Sequence, residues 1–234
     1  MKHEKQNIAV ILAGGSGNRM GGTLPKQFLM LGGKTVLEHA VEAFEKNPNI
    51  REIAVVCAPE WKAKVEELAA RNAWTKLKKI LPGGKERYRS TLSAVEAYRN
   101  TPNVNLIFHD AARPLVSQRI IDGVTQALKT HRAVDVALPC TDTILQVKDG
   151  FIQGVPDRNT LMRSQTPQAF SLEIIAKAYD IALTDKNFST TDDCGTVLRY
   201  LPEIPIFIVP GDECNLKLTH PKDLPVLERL VQTK

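Results

Sequence analysis

Short apolar runs alternate along this chain with stretches of helical periodicity, and that alternation most restricts what it can fold into. Ile8–Leu12, Ile53–Cys57, Val104–Phe108, Ala133–Leu138 and Ile206–Pro210 read as strands, with a shorter one at Leu77–Leu81. Between them lie amphipathic segments. Val36, Ala40, Ala43 and Phe44 share one helical face, and Thr35 and Glu38 have capping-box spacing. Trp61, Val65 and Leu68 form a stripe within Glu60–Arg71, and Leu92, Ala94 and Val95 lie on a helix starting near Arg89. Further helices are expected over Ile120–Lys129 and Leu172–Leu183, after Thr191, and after Pro221. This pattern predicts an α/β fold: a single Rossmann-like domain over residues 1–234, with a mostly parallel central sheet and helices on both faces.

The pattern breaks once. Thr143–Val147 and Phe151–Val155 read as two short strands around an Asp149-Gly150 turn. A two-stranded ribbon is marginal alone, so Ile144, Val147, Phe151 and Val155 need a surface to cover them. A second subunit is the natural partner, which makes residues 140–160 a protruding dimerisation arm. Near the C-terminus, Asn215–Thr219 alternates as a strand.

Composition excludes several classes. The chain has 234 residues, of which 43% are apolar, enough for a core. No apolar run approaches the ~20 residues needed to span a bilayer, and the N-terminal residues carry no signal-like apolar region, so no membrane association and a cytoplasmic location are expected. Cys57, Cys140, Cys194 and Cys214 are scattered without a C-x-x-C pair, which argues against structural zinc and a disulfide framework. The net charge of +5 permits an anionic ligand. Its densest basic run, Lys76–Lys79, reads as an exposed strand edge, and nucleic acid is not expected as a partner.

The chemistry concentrates after the first strand, in Ala13-Gly-Gly-Ser-Gly-Asn-Arg-Met-Gly-Gly22 and Pro25-Lys26. A Gly-rich turn lets backbone N–H groups approach an anion, and Arg19 and Lys26 add two cations at the same mouth. Two common phosphate loops fail here. The third glycine of a dinucleotide fingerprint is replaced by Met20, and the Walker tail Gly33-Lys34-Thr35 has Phe28 where its first glycine belongs. His109-Asp-Ala-Ala-Arg-Pro114 ends a buried strand, where open α/β sheets bind ligands. Asp110 could meet a metal-bound phosphate or a hydroxyl there, and Arg113 could fork onto a phosphate, or the pair could be a cap and a surface cation. Gly83-Gly-Lys-Glu-Arg-Tyr-Arg-Ser90 is a second Gly turn. Taken alone, Thr191-Asp-Asp193 is a helix cap, Gln165-Thr-Pro-Gln168 a Pro-restricted loop, and Lys217 a solvated charge.

Taken together, these motifs resemble the cytidylyltransferase branch of the GT-A-like nucleotidyltransferases. They most resemble the 2-C-methyl-D-erythritol 4-phosphate cytidylyltransferase family. The stretch Ala13–Met20 with Pro25-Lys26 matches A-G-G-x-G-x-R-M…P-K, and Asp142-Thr143, Asp157-Arg-Asn159 and Asn215-Leu-Lys-Leu-Thr219 follow in the expected order. The resemblance implies CTP contacts from Leu12, Ala13, Gly14, Gly15, Ser16, Gly17, Gly83, Gly84, Ser90 and Ala111. It implies catalytic cations at Arg19, Lys26 and Lys217. Asp110, Arg113, Thr143, Arg158, Thr166 and Thr191 would bind the acceptor, a polyol phosphate. It further implies Mg²⁺ as cofactor, with Asp110 as its ligand, and a homodimer with exchanged arms. Lys85 departs from the family pattern, which often has Asp there. A ribitol-5-phosphate cytidylyltransferase shares most of these motifs, and Leu24–Leu29 and Pro59-Glu-Trp61 resemble that sibling. An inactive nucleotide-sensing module is a third reading, against which Arg19, Lys26 and Asp110 stand.

Overall fold

The computed structural model describes residues 5–15, 24–84 and 86–233. In chain order the elements begin with β1 (Gln6–Ala13), β2 (Met30–Leu31), β3 (Lys34–Thr35), α1 (Val36–Glu45), β4 (Glu52–Cys57), α2 (Lys62–Arg71), β5 (Leu77–Pro82), α3 (Arg87–Tyr98) and β6 (Val104–Asp110). They continue with α4 (Gln118–Ala127), β7 (Ala133–Pro139), β8 (Gln146–Lys148), β9 (Phe151–Gly154), β10 (Met162–Ser164) and β11 (Gln168–Ser171), then α5 (Leu172–Ala182), α6 (Asp193–Tyr200), β12 (Phe207–Pro210) and α7 (Asp223–Gln232).

β1 is central. It pairs in parallel with β4 on one side and β6 on the other, and β5 extends the sheet beyond β4. On the far side, β11 runs antiparallel between β6 and β7. Val134 pairs with both Ala169 and Phe207, and Ala137 with both Ser164 and Pro210. β12 therefore holds one edge of β7, while β10 and β11 follow one another along the other edge. Their pairing slips by two residues across 165–167, where the Thr166–Pro167 peptide is cis. Successive strands thus step away from β1 in opposite directions, which makes the boundary between β1 and β6 a topological switch point. Ligands of such sheets bind beyond the carboxyl ends of the strands there.

Period-two alternation distributes β1 between two cores. Ala9, Ile11 and Ala13 meet α1, α2 and α4, including Leu37, Phe44, Leu68 and Ile121. Ile8, Val10 and Leu12 meet α3, α5 and α6, including Val95, Tyr98, Tyr179 and Val197. Both faces of the strand are covered, and its unbroken apolar run follows from that. The predicted capping box is present: Glu38 N donates to Thr35 Oγ1 at 3.2 Å and Thr35 N to Glu38 Oε2 at 2.7 Å. Arg71 and Asn72 also donate to Glu38, so a buried carboxylate clamps the start of α1 to the end of α2. Burial alone would raise this carboxyl, but those donors hold it down at about 2.

Three local features differ from, or explain, the sequence pattern. The Gly32-Gly33 pair, with both φ positive, turns the β2–β3 hairpin, which is why the Lys34-Thr35 tail belongs to no phosphate loop. The arm is shorter than its apolar pattern suggests, with three residues in β8 and four in β9 around the left-handed Asp149-Gly150 turn. Its apolar side chains are left largely open: Phe151 is 74% exposed and Ile152 62%. Asn215–Thr219 joins no strand ladder among the described residues. Its alternation has another cause. Leu216 and Leu218 pack with Leu31, Val36, Leu115 and α7, while Lys217 lines the cleft on the opposite side.

Candidate functional site

A cleft opens at the switch point. β1 brings Leu12 and Ala13 to its floor, and Leu12 pairs in register with Asp110 at the end of β6. The first Gly turn, Gly14-Gly15, forms one lip, with Gly84 and Ser90 opposite. The two turns touch. A Cβ on Gly83 would lie 3.2 Å from Gly14 Cα and from the Cys57 carbonyl carbon, and one on Gly14 3.0 Å from Ser90 Oγ. Glycine is required at Gly83 for close backbone packing rather than for an unusual φ. Gln27, buried beside Lys26, ties the first lip down by donating to Ala13 O at 2.7 Å.

Cations converge on the cleft. Lys26 and Lys217 line it with Arg87, from the first turn of α3. Lys26 Nζ donates to Leu218 O at 2.8 Å, which joins it to the segment carrying Lys217. Lys217 Nζ donates to Asp110 Oδ2 at 2.6 Å, and Arg87 Nε lies 3.6 Å from Asp110 Oδ1. Burial favours the neutral form of Asp110, but Lys217 and Arg87 outweigh it and hold the carboxyl well below the usual range. The carboxylate is therefore matched by two cations. No group of three His, Cys, Asp or Glu side chains suited to a metal occurs among the described residues. This environment does not fit Asp110 as a direct Mg²⁺ ligand.

Arg113 does not line the cleft. Its Nη1 donates to Asn215 O at 2.7 Å, so it anchors the segment that carries Lys217. Asn215, fully buried, donates in turn to Thr166 O at 2.9 Å and Gln165 Oε1 at 3.1 Å. The Thr166 hydroxyl is buried and accepts from Asp110 N at 3.1 Å while standing 3.1 Å from His109 Nδ1. Burial pushes His109 down to about 4, leaving a neutral ring whose Nε2 meets Arg113 O at 2.9 Å. It braces the strand end from below.

Of the residues expected at the site, Leu12, Ala13, Gly14, Gly15, Lys26, Gly84, Ser90, Asp110, Ala111 and Lys217 gather around the cleft, with Gly83 packed behind its lip. Ser16, Gly17, Arg19 and Lys85 lie outside the described residues. Thr191 is exposed just before α6, whose cap is Asp192. Thr143 and Arg158 flank the arm, exposed, with Arg158 Nη1 donating to Thr141 O at 3.0 Å. Sequence reasoning missed Arg87. It stands in the quoted second Gly-turn motif, but its meaning depends on Asp193, remote in sequence.

A mostly parallel sheet with two facing glycine turns and clustered cations at its switch point is the architecture of a nucleotidyltransferase. The chain belongs to the 2-C-methyl-D-erythritol 4-phosphate cytidylyltransferase (IspD) family, whose sequence model matches residues 7–233. It is 45% identical over 238 aligned residues to the 2-C-methyl-D-erythritol 4-phosphate cytidylyltransferase of Thermobifida fusca, covering 99% of this chain and 96% of that protein. It is also 43% identical to the bifunctional ribulose 5-phosphate reductase/CDP-ribitol pyrophosphorylase of Haemophilus influenzae, covering 99% of this chain but 49% of that longer protein. Among solved structures, the 4-diphosphocytidyl-2C-methyl-D-erythritol synthase of Anaerococcus prevotii superposes with a TM-score of 0.84 at 25% identity, covering 97% of this chain and 99% of that one.

Proposed function

We propose that this protein transfers CMP from CTP to 2-C-methyl-D-erythritol 4-phosphate, releasing pyrophosphate and 4-diphosphocytidyl-2-C-methyl-D-erythritol. The observation that carries the reading is the cationic cleft at the switch point, in a chain 45% identical to an enzyme of that name over nearly its whole length. An acceptor phosphate oxygen attacks the α-phosphorus of CTP, a P–O bond forms, and pyrophosphate departs with the electrons of the broken bond. The nucleophile is already anionic, so no general base is needed. This suits a cleft whose one deep carboxylate is tied to Lys217 and whose nearest histidine is buried and neutral. The work left to the protein is alignment and charge neutralisation of two polyanions.

In this reading the two Gly turns and Ser90 hold the nucleotide. Lys26, Lys217 and Arg19 meet the phosphates, and Asp110, Arg113, Thr166 and Thr191 shape the acceptor side. A Mg²⁺ ion would be held by the nucleotide's own phosphates and would offset their charge, since Asp110 is engaged by cations. The arm pairs two chains into a homodimer. Its exposed Val147, Phe151, Ile152 and Val155 argue for that. Thr143 and Arg158 then complete the neighbour's acceptor site. The four cysteines are free thiols, in keeping with a reducing, cytoplasmic compartment. No helix among the described residues is long and apolar enough to cross a membrane.

A second reading, transfer to ribitol 5-phosphate, draws on the 43% identity to the CDP-ribitol pyrophosphorylase. Pyrophosphate release tests the reaction, with each of the four nucleoside triphosphates offered with and without 2-C-methyl-D-erythritol 4-phosphate. Release only with CTP and acceptor together is expected. Release independent of acceptor, or none with CTP, would overturn the proposal.

A further inference from the structure

A single helical turn, Lys26–Phe28, sends three consecutive side chains to three places. Lys26 lines the cleft and donates to Leu218 O in the C-terminal segment. Phe28 is buried in the first core, its ring centroid 4.8 Å from that of Trp61. Between them Gln27, also buried, turns back onto the first Gly turn. Its Nε2 donates to Ala13 O at 2.7 Å and to Gly15 O at 3.4 Å. Nitrogen rather than oxygen must face them, because carbonyl oxygens only accept. One amide nitrogen thus collects two carbonyls, from alternate residues, at the lip of the cleft. The short bond holds the nearer peptide firmly, and the long one steers the farther.

What a Gly turn offers an anion is its N–H groups, and a carbonyl oxygen turned the same way repels it. In a trans peptide the C=O and the following N–H point in opposite directions, so a flipped peptide presents an acceptor where a donor had been. Glycine makes such flips cheap. Gly14 is wedged between Gly83 and Ser90, but a Cβ on Gly15 would meet nothing within 4 Å. Packing therefore does not set the peptide that follows Gly15. Among the described residues, the hydrogen bond to its carbonyl comes from Gln27.

We propose that Gln27 is a positioning residue for the nucleotide: by gathering the Ala13 and Gly15 carbonyls onto its amide, it keeps them out of the path of the triphosphate. It acts through the turn, which is set before the nucleotide arrives, so less ordering is left to be done on binding. This rests on nucleotide binding in the cleft, as proposed above, and not on which polyol phosphate accepts.

The test is CTP titration and steady-state kinetics of Gln27→Met, Gln27→Glu and Phe28→Leu, each with a melting curve. The acceptor is whichever of the two polyol phosphates the wild type turns over. Gln27→Met keeps the length of the side chain and removes the donor, and is expected to weaken CTP binding about five- to thirtyfold. Its acceptor KM at saturating CTP is expected to stay within about twofold of wild type and its kcat within about threefold, as for a loss of uniform binding. Gln27→Glu sets an acceptor against two carbonyls and is expected to bind CTP more weakly than Gln27→Met. Phe28→Leu leaves the amide in place and loosens only the packing on Trp61, so its melting temperature is expected to fall with CTP affinity within about twofold of wild type. Unchanged CTP affinity in the Gln27 variants overturns the proposal. So does a loss in Phe28→Leu as large as that in Gln27→Met, since general loosening of the turn would then account for both. If one Gln27 variant does not fold, the other decides. A wild type that binds no CTP overturns the reading of the cleft and this proposal with it, whereas variants that bind CTP as the wild type does overturn this proposal alone.

Discussion

Replacing Lys217 by Met should cost stability as well as activity, and only the stability should return when Asp110 is replaced too. Lys217 Nζ sits 2.6 Å from an Asp110 carboxylate that is 10% exposed. Removing one partner of a buried pair typically costs about 3–5 kcal/mol, because the other charge is stranded. Two features reduce that figure here. Lys217 is 38% exposed, so solvent already screens the attraction, and Arg87 remains 3.6 Å from the other carboxylate oxygen. A loss of roughly 1–2 kcal/mol follows, or about 2–8 °C in Tm for a chain of this length. The carboxyl of Asp110 is held low in the folded protein, so its contribution is present above the unfolded pKa and is lost as pH falls. The deficit of Lys217→Met should therefore be full at pH ~7 and shrink below pH ~4. In Asp110→Asn/Lys217→Met no charge is stranded, and stability should come back to within about 1 kcal/mol of wild type. Turnover should stay about 10²–10³-fold down in both variants, as for loss of a preorganised donor. Chemical denaturation over pH beside pyrophosphate release measures both. A double variant no more stable than Lys217→Met would refute the idea that this pair neutralises a buried carboxylate.

Lys26→Ala should lower kcat about 10²-fold while the chain stays folded; near-native kcat with an unchanged melting curve would remove it from the chemistry. Burial pushes Asp135 up to about 6, partly opposed by hydrogen bonds from Ser164 and Gln168, so the folded protein prefers it protonated. The stability this lends is present below the unfolded pKa and is lost as pH rises through about 6. Asp135→Asn should therefore gain up to about 3 kcal/mol on wild type between pH ~4 and ~7, and parallel stability profiles would contradict this. Mixing inactive Lys26→Ala and Arg158→Ala chains should restore about a quarter of wild-type activity, because one site in each mixed dimer would be intact. No recovery after verified subunit exchange would refute a shared site.

What the sequence made legible follows from what each residue needs. β1, β4 and β6 announce themselves because both faces are buried, which demands an unbroken apolar run. β10 and β11, Met162–Ser164 and Gln168–Ser171, are too short and too polar for that signal, and only their register with β7 defines them. The two Gly turns, read as facing an anion, line one cleft. Gly83, however, owes its identity to contact with Gly14, a contact between distant segments. Lys26 followed from its place after the loop. Arg87 and Arg113 did not, because their settings depend on Asp193 and Asn215, which come close only in the fold. The alternation of Asn215–Thr219 was real, yet it reflects packing on α7 rather than a ladder.

The most direct test places both polyol phosphates in one reaction. CTP is limiting, 2-C-methyl-D-erythritol 4-phosphate and ribitol 5-phosphate are present at equal concentration, and the two CDP-linked products are separated by mass. 4-Diphosphocytidyl-2-C-methyl-D-erythritol is expected to dominate, and by more than about tenfold if acceptor discrimination is worth 1.4 kcal/mol or more. A product pool dominated by CDP-ribitol would contradict the proposed acceptor.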